Sequence, residues 1–177
     1  MVAGELYRAS DPELVRERAR ARGLLGRYNA TAPEDADERR ALLEELLGRA
    51  GEDVWIEPPF RCDYGWNVSL GDGAYLNFDC VILDCAPVVI GALAKLGPGV
   101  KLCAATHPVD PAERAGGLEY ALPIAIGRNV WIGAGAIVGP NVTIGENSVV
   151  GAGSVVLRDL PANVVAAGSP CRVLRAI

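Results

Sequence analysis

One histidine stands in this 177-residue chain, His107, within Ala104-Ala105-Thr106-His107-Pro108. An imidazole with an ordinary pKa of about 6.5 can take a proton from a hydroxyl near neutral pH. Pro108 biases the residue before it toward extended backbone, which sets the direction of the ring. A single histidine excludes every site built from two or three of them. Cys62, Cys80, Cys85, Cys103 and Cys171 form no C-x-x-C pair. Their odd number, with no apolar export segment behind the N-terminal charges, predicts free thiols in a reducing cytoplasm. Each cysteine reads as a core or corner filler, with a metal or redox role as the alternative.

Charge limits the partners. The 17 basic and 22 acidic side chains leave a net charge of −5. That excludes a whole-surface basic footprint for nucleic acid or anionic membrane. No stretch approaches the roughly 18 uncharged apolar residues of a membrane span. Positive charge is local instead: residues 157–177 hold Arg158, Arg172 and Arg175 against one acid, Asp159.

The elements that position these groups fall into two parts. Residues 1–53 carry 21 of the 39 charges and 5 of the 21 glycines. They read as a helical hairpin. Asp11-Pro12-Glu13 is a helix start, with a cap, proline at the first position and acid in the first turn. Leu14, Leu24, Leu25 and Tyr28 give an apolar face running to about Asn29. Thr31-Ala32-Pro33-Glu34 offers a second start, Leu42, Leu43, Leu46 and Leu47 a second stripe, and Gly48 or Gly51 a stop. The hairpin is too polar to stand alone and must lie on something.

Residues 54–177 contain a repeat of six. Ile126, Ile132, Val138, Ile144, Val150 and Val156 follow one another without a break. Earlier runs are Leu70, Leu76, Ile82 and Ile90, Leu96, Leu102, with a step of eight between Ile82 and Ile90. The eight hexads starting at 70, 90, 96, 126, 132, 138, 144 and 150 all have glycine next. Three residues after the aliphatic one stands Gly or Asn in seven of the eight, with Leu93 the exception. Gly and Asn both tolerate φ > 0. This pattern gives short strands joined by sharp corners, three to a coil of 18 residues, stacked as parallel sheet at about 4.8 Å per coil. The fold class is therefore an all-β solenoid, a parallel β-helix of hexapeptide repeats with an N-terminal α-helical hairpin. Leu93 leaves open whether its coil is distorted. Cys62 and Cys80 are 18 residues apart, as are Cys85 and Cys103, so each pair is expected to stack. The insertion 103–125 breaks the repeat and carries His107; a C-terminal cap closes it.

At this point the chain resembles a known family, the maltose and galactoside O-acetyltransferases of the hexapeptide-repeat superfamily. The stretches that carry the resemblance are Ala3-Gly4-Glu5-Leu6-Tyr7, Arg27-Tyr28-Asn29, Ile56 to Gly65, Asn77-Phe78-Asp79-Cys80, Ala105 to Pro108, Asn129 to Gly133, and Ala166 to Val173. Together they span essentially residues 1–177. The resemblance implies a left-handed coil, a homotrimer with sites between subunits, and transfer of acetyl from acetyl-CoA to a sugar hydroxyl. It makes His107 the general base for direct attack, with no acyl-enzyme and no metal. It gives the Ala134 N–H the oxyanion, and Asn77 positioning or transition-state stabilisation, with a plain corner Asn as the alternative.

For the acceptor, Asp63 matches a sugar-contacting position. Asp84 and Glu119 suit carboxylates that accept from sugar hydroxyls. Solvated corner or loop charges are the alternative for all three. Glu119 follows the maltose type. Cys85 and Ala9 stand where the galactoside type has acids, so the chain is closer to the maltose type. Arg158, Arg172 and Arg175 match coenzyme A positions, alongside Ala152, and guanidinium suits phosphate. Surface arginines near a chain end are the alternative. Trp131 is expected to wall the acceptor or pantetheine slot. An acyltransferase for another acceptor, or a solenoid scaffold without chemistry, are the competing readings.

Overall fold

A computed structural model describes all 177 residues. The hexads build a three-faced solenoid. Face one stacks Arg49–Ala50, Val68–Leu70, Val88–Ile90, Ile124–Ile126 and Val142–Ile144. Face two stacks Trp55–Ile56, Tyr75–Leu76, Lys95–Leu96, Trp131–Ile132, Val149–Val150 and Val164–Ala167. Face three stacks Arg61–Cys62, Val81–Leu83, Lys101–Cys103, Ile137–Val138 and Val155–Val156. All these ladders are parallel; the last strand, Arg172–Ala176, folds back antiparallel on Val164–Ala167. No helix is long and apolar enough to cross a membrane.

The inward column is the core. Ile56, Leu70, Leu76, Ile82, Leu102, Ile132, Val138 and Ile144 are each 0% exposed. Burying each such side chain contributes about 1.5–3 kcal/mol. Backbones stack so closely at the corners that glycine is required there. A Cβ on Gly133 would sit 2.5 Å from the Ala152 nitrogen, and one on Gly97 would sit 2.7 Å from that of Ala134.

Coil length corrects one expectation. Above the insertion the register step is 18, as in Trp131↔Val149, until the last coil, where Val149↔Val165 shortens it to 16. Below the insertion the step is 20: Cys62 pairs with Ile82, and Val68 with Val88. Cys62 therefore does not stack on Cys80. Cys103 pairs with Leu83, not Cys85. The two added residues sit in the corner leading from face three to face one, at Asp63–Asn67 and at Asp84–Pro87. The insertion leaves the solenoid at this same corner.

The hairpin lies on the first coils. Helix α1 (Pro12–Asn29) is capped by Asp11, whose side chain accepts from the Glu13 N–H. Ala21, Leu24, Leu25 and Tyr28 are buried, and Leu14 is half-buried. Asn29 exchanges two hydrogen bonds with the Phe60 backbone, at 2.8 and 2.9 Å. Helix α2 spans Ala36–Leu46, starting two residues beyond Glu34 because Pro33-Glu34 forms a turn. It ends before Gly48, which serves another purpose: a Cβ there would lie 2.2 Å from the Trp66 carbonyl oxygen. Gly51 likewise clears Asp72, with 2.4 Å to its Oδ1.

Leu93 leaves its coil undistorted, since Ile90↔Ile126 and Lys95↔Trp131 keep register on either side. It adopts φ 61° and stays half exposed. In the same corner column, the Asn129 amide donates to Asn147 at 3.1 Å, and that of Asn147 to Asn163 at 3.0 Å. Left-handed backbone costs a branched side chain about 1 kcal/mol or more. Leu93→Asn is accordingly expected to stabilise the fold by about 1 kcal/mol, seen as a higher urea midpoint. An unchanged or lower midpoint would contradict a strained corner.

Candidate active site

The irregular corner between faces three and one builds a polar pocket. Its support is Asp84, which is 0% exposed. One carboxylate oxygen accepts from the N–H groups of Asp63 and Tyr64, both at 2.9 Å; the other accepts from Gly65 at 2.7 Å. The Asn67 side chain donates to the Asp84 carbonyl at 2.7 Å. Gly65 turns with φ 80° under Leu46, where a Cβ would meet the Leu46 carbonyl oxygen at 2.5 Å. This corrects the expectation for Asp84. Its carboxylate is committed to the backbone and does not reach an acceptor; it shapes the turn that presents Asp63. Burial pushes the Asp84 pKa up, with the amide donors pulling against it.

Beside this turn lies a pocket of about 240 Å³, lined by Ala9, Arg18, Arg22, Asp63, Tyr64, Cys85 and Glu119. Asp63 and Glu119 thus line one pocket. Glu119 sits on Leu118–Ala121, the middle strand of a small antiparallel sheet between Tyr7–Arg8 and Ala105–Thr106. The Tyr7 hydroxyl donates to Glu119 Oε2 at 3.1 Å. Burial pushes the Asp63 pKa up, and Glu119 adds to that; Cys85, Arg18 and Arg22 pull it down. Arg18 is held by the Tyr64 hydroxyl at 2.7 Å and by the Ala9 carbonyl. Sequence reasoning missed Arg18 and Arg22. Their i, i+4 spacing on one face of α1 was the available signal.

His107 leaves the Ala105–Thr106 strand exposed. Its Nδ1 lies 3.4 Å from the carbonyl oxygen of Leu118, the neighbour of Glu119. With Nδ1 donating to that carbonyl, Nε2 presents a lone pair. The loop around it is folded. Arg114 donates to the Pro108 and Val109 carbonyls at 3.1 and 2.9 Å, and Asp110 caps α3 (Pro111–Ala115).

A second group of residues lies on another edge, between faces two and three. Asn77 is half-buried at the end of Tyr75–Leu76, with its Oδ1 accepting from the Phe78 N–H at 2.7 Å. Ala134 and Ala152 stack above on the same edge, both exposed, with neither N–H donating within the chain. Trp131 points out from face two, 56% exposed, between Lys95 and Val149. At the C-terminal end, Arg158 and Arg172 share a pocket of about 150 Å³. Arg175, on the same closing strand as Arg172, lies outside it. Within one chain, then, His107 joins Asp63 and Glu119 at one edge, while Asn77 joins Ala134 and Ala152 at another. One full face separates the two groups.

Known proteins match the chain from end to end. Residues 1–51 match the maltose acetyltransferase hexapeptide capping motif, and residues 123–158 the bacterial transferase hexapeptide of six repeats. Nodulation protein L of Rhizobium meliloti (strain 1021) is 50% identical over 98% of this chain and 94% of its own length. The crystal structure of a maltose O-acetyltransferase from Clostridium difficile 630 superposes with TM-score 0.98 at 43% identity, covering 99% of this chain and 94% of that one. A galactoside acetyltransferase in complex with coenzyme A gives TM-score 0.96 at 43% identity, covering 99% and 88%.

Asp84→Ala removes the acceptor for three amides at once. Leaving them unpaired is expected to cost about 3 kcal/mol or more, read from urea unfolding. Asp84→Asn, which keeps one acceptor oxygen, is expected to cost roughly half as much. A neutral Asp84→Ala would show that the turn does not depend on this carboxylate.

Proposed function

From the premise that the chain belongs to the maltose and galactoside acetyltransferases of the hexapeptide-repeat superfamily, and shares their left-handed β-helix, we propose that it moves acetyl from acetyl-CoA to a hydroxyl of a maltose- or glucose-like sugar. The observation that carries this reading is the alignment of His107 on the Leu118 carbonyl, beside the pocket that holds Asp63 and Glu119.

The steps are simple. Asp63 and Glu119 accept hydrogen bonds from acceptor hydroxyls and hold the sugar. His107 Nε2 takes the proton of the reacting hydroxyl as its oxygen attacks the thioester carbonyl carbon. The tetrahedral oxyanion is met by the Ala134 N–H, with Asn77 positioning the reacting groups. The C–S bond then breaks and the thiolate of coenzyme A takes the proton back from His107. No side chain is acylated.

Coenzyme A lies along the edge of Ala134 and Ala152 in this reading, with Trp131 walling its slot. Arg158, Arg172 and Arg175 meet its phosphates. The acidic chain supplies that charge at its C-terminal end only. Asp84 acts through the Asp63 turn.

The edge of His107 and that of Asn77 come together only between copies. A homotrimer with its three prisms parallel pairs one chain's His107 edge with a neighbour's Asn77 edge, making three sites. A cytoplasmic location fits the unpaired cysteines and the supply of acetyl-CoA.

Thiol release from acetyl-CoA over a panel of sugars tests the chemistry. His107→Ala is expected to lose about a hundredfold to ten-thousandfold in rate while still binding coenzyme A. Equal rates for wild type and variant would sink the mechanism. The shared site has its own test, co-expression of His107→Ala with Asn77→Ala. Random trimers should regain roughly a quarter of wild-type activity, the share of interfaces with both residues intact. No recovery, or full activity in a monomer by light scattering, would contradict it.

A further inference from the structure

Two carboxylates face one small pocket, and something must aim them. Asp63 and Glu119 line it together, and the Glu119 charge helps to hold the Asp63 pKa up, after burial. Each has one oxygen tied from behind. Tyr7 donates its hydroxyl to Glu119 Oε2 at 3.1 Å. The Cys85 thiol donates to Asp63 Oδ2 at 3.6 Å, a normal reach for sulfur. The other two oxygens, Glu119 Oε1 and Asp63 Oδ1, have no hydrogen-bond partner in the chain. Two separate donor pairs, Tyr7 on Glu119 and Cys85 on Asp63, therefore flank the pocket.

The four side chains come from four separate places in the sequence. Tyr7 lies on the first strand, paired in register with Glu119. Cys85 follows Asp84 in the corner of the second coil, directly over the Asp63 turn that Asp84 holds. It lines the pocket but is only 5% exposed. A thiol here remains neutral, because burial pushes its pKa up to about 12. It is therefore a donor, and a small one, where an acid would add a third negative charge.

We propose that Tyr7 and Cys85 are positioning residues for the acceptor: together they turn the free oxygens of Asp63 and Glu119 into the pocket, so that it selects an uncharged sugar offering two hydroxyl donors. This rests on the sugar-acetyltransferase reading above and deepens it. The arrangement gives the pocket two kinds of selectivity. Two fixed acceptor oxygens reject a ligand with a carboxylate or phosphate at that position, since it would bring negative charge to negative charge. They also reject a ring lacking either hydroxyl, since a carboxylate oxygen covered by that ring would lose its water and gain no partner.

The test is steady-state kinetics with acetyl-CoA and maltose on the full-length protein. Tyr7→Phe and Cys85→Ala are expected to raise the maltose KM about tenfold to hundredfold. The KM for acetyl-CoA and the kcat at saturating maltose should stay within about twofold. Cys85→Ser, which restores a small neutral donor, should recover most of the loss. Cys85→Val, which fills the space without a donor, should not. Thermal unfolding of each variant monitors the fold. Wild-type behaviour of Cys85→Val would show that the thiol only packs and would overturn the proposal. So would a joint fall of kcat and both KM effects, the mark of general damage. If the wild type transfers acetyl to no sugar, the parent reading falls and takes this one with it. If it does, and the maltose KM is unmoved in every variant, only the positioning role falls.

Discussion

Everything in this molecule rests on the contact between one coil and the next. Peptide groups meet so closely at the corners that a Cβ on Gly71, Gly91, Gly127 or Gly145 would fall 2.6 Å or less from a backbone nitrogen above. Close stacking lets each strand pair in parallel with its equivalent and places each aliphatic residue on the one below. The core depends on that register, and so does the position of every side chain along the axis. A corner that could not accommodate its neighbour would shift all residues beyond it to the wrong face.

The three edges of the prism share this constraint unequally. One edge bears every departure from the hexad: the added residues at Asp63–Asn67, those at Asp84–Pro87, the long insertion with His107, and the shortened step from Val156 to Leu160. Departures there do not disturb the register, because Val88–Ile90 and Ile124–Ile126 pair normally across the inserted loop. The edge between faces two and three stays regular and carries Asn77, Ala134 and Ala152. Polar, irregular structure and plain repeating backbone are thus kept on separate edges. Helix α1 adds Arg18 and Arg22 to the irregular side, held there by the paired hydrogen bonds of Asn29 to Phe60.

Much of this was legible in the residues. The hexads announced the coils, glycine and asparagine announced the corners, and the longest break in the hexads located the histidine loop. The failures share a cause. Predicted cysteine stacking assumed 18-residue coils, whereas the lower ones hold 20, a difference made by turns with no repeat to reveal them. Asp84 looked like any other carboxylate, since its role depends on three amides that only the coil geometry brings beneath it. Arg18 and Arg22 were visible as a spaced pair on a helix. The pocket they join is assembled from α1, two coils and the insertion, so local spacing could not announce it. Gly48 and Gly51 looked like helix stops because their real neighbours, Trp66 and Asp72, are more than fifteen residues away.

The uniform rise of the coils makes the solenoid a ruler. Above the insertion each added hexad triplet lifts the rest of the chain by one strand spacing, about 4.8 Å, with no finer setting available. Ala134 and Ala152 stand one such step apart, and the closing antiparallel strand fixes where the scale ends. Gain or loss of one 18-residue unit would leave the acceptor pocket intact beneath it. It would carry the terminal arginines a fixed increment away from the reacting edge, or toward it. Evolution of reach in such a protein therefore proceeds by counting, in steps of a coil, and not by gradual adjustment.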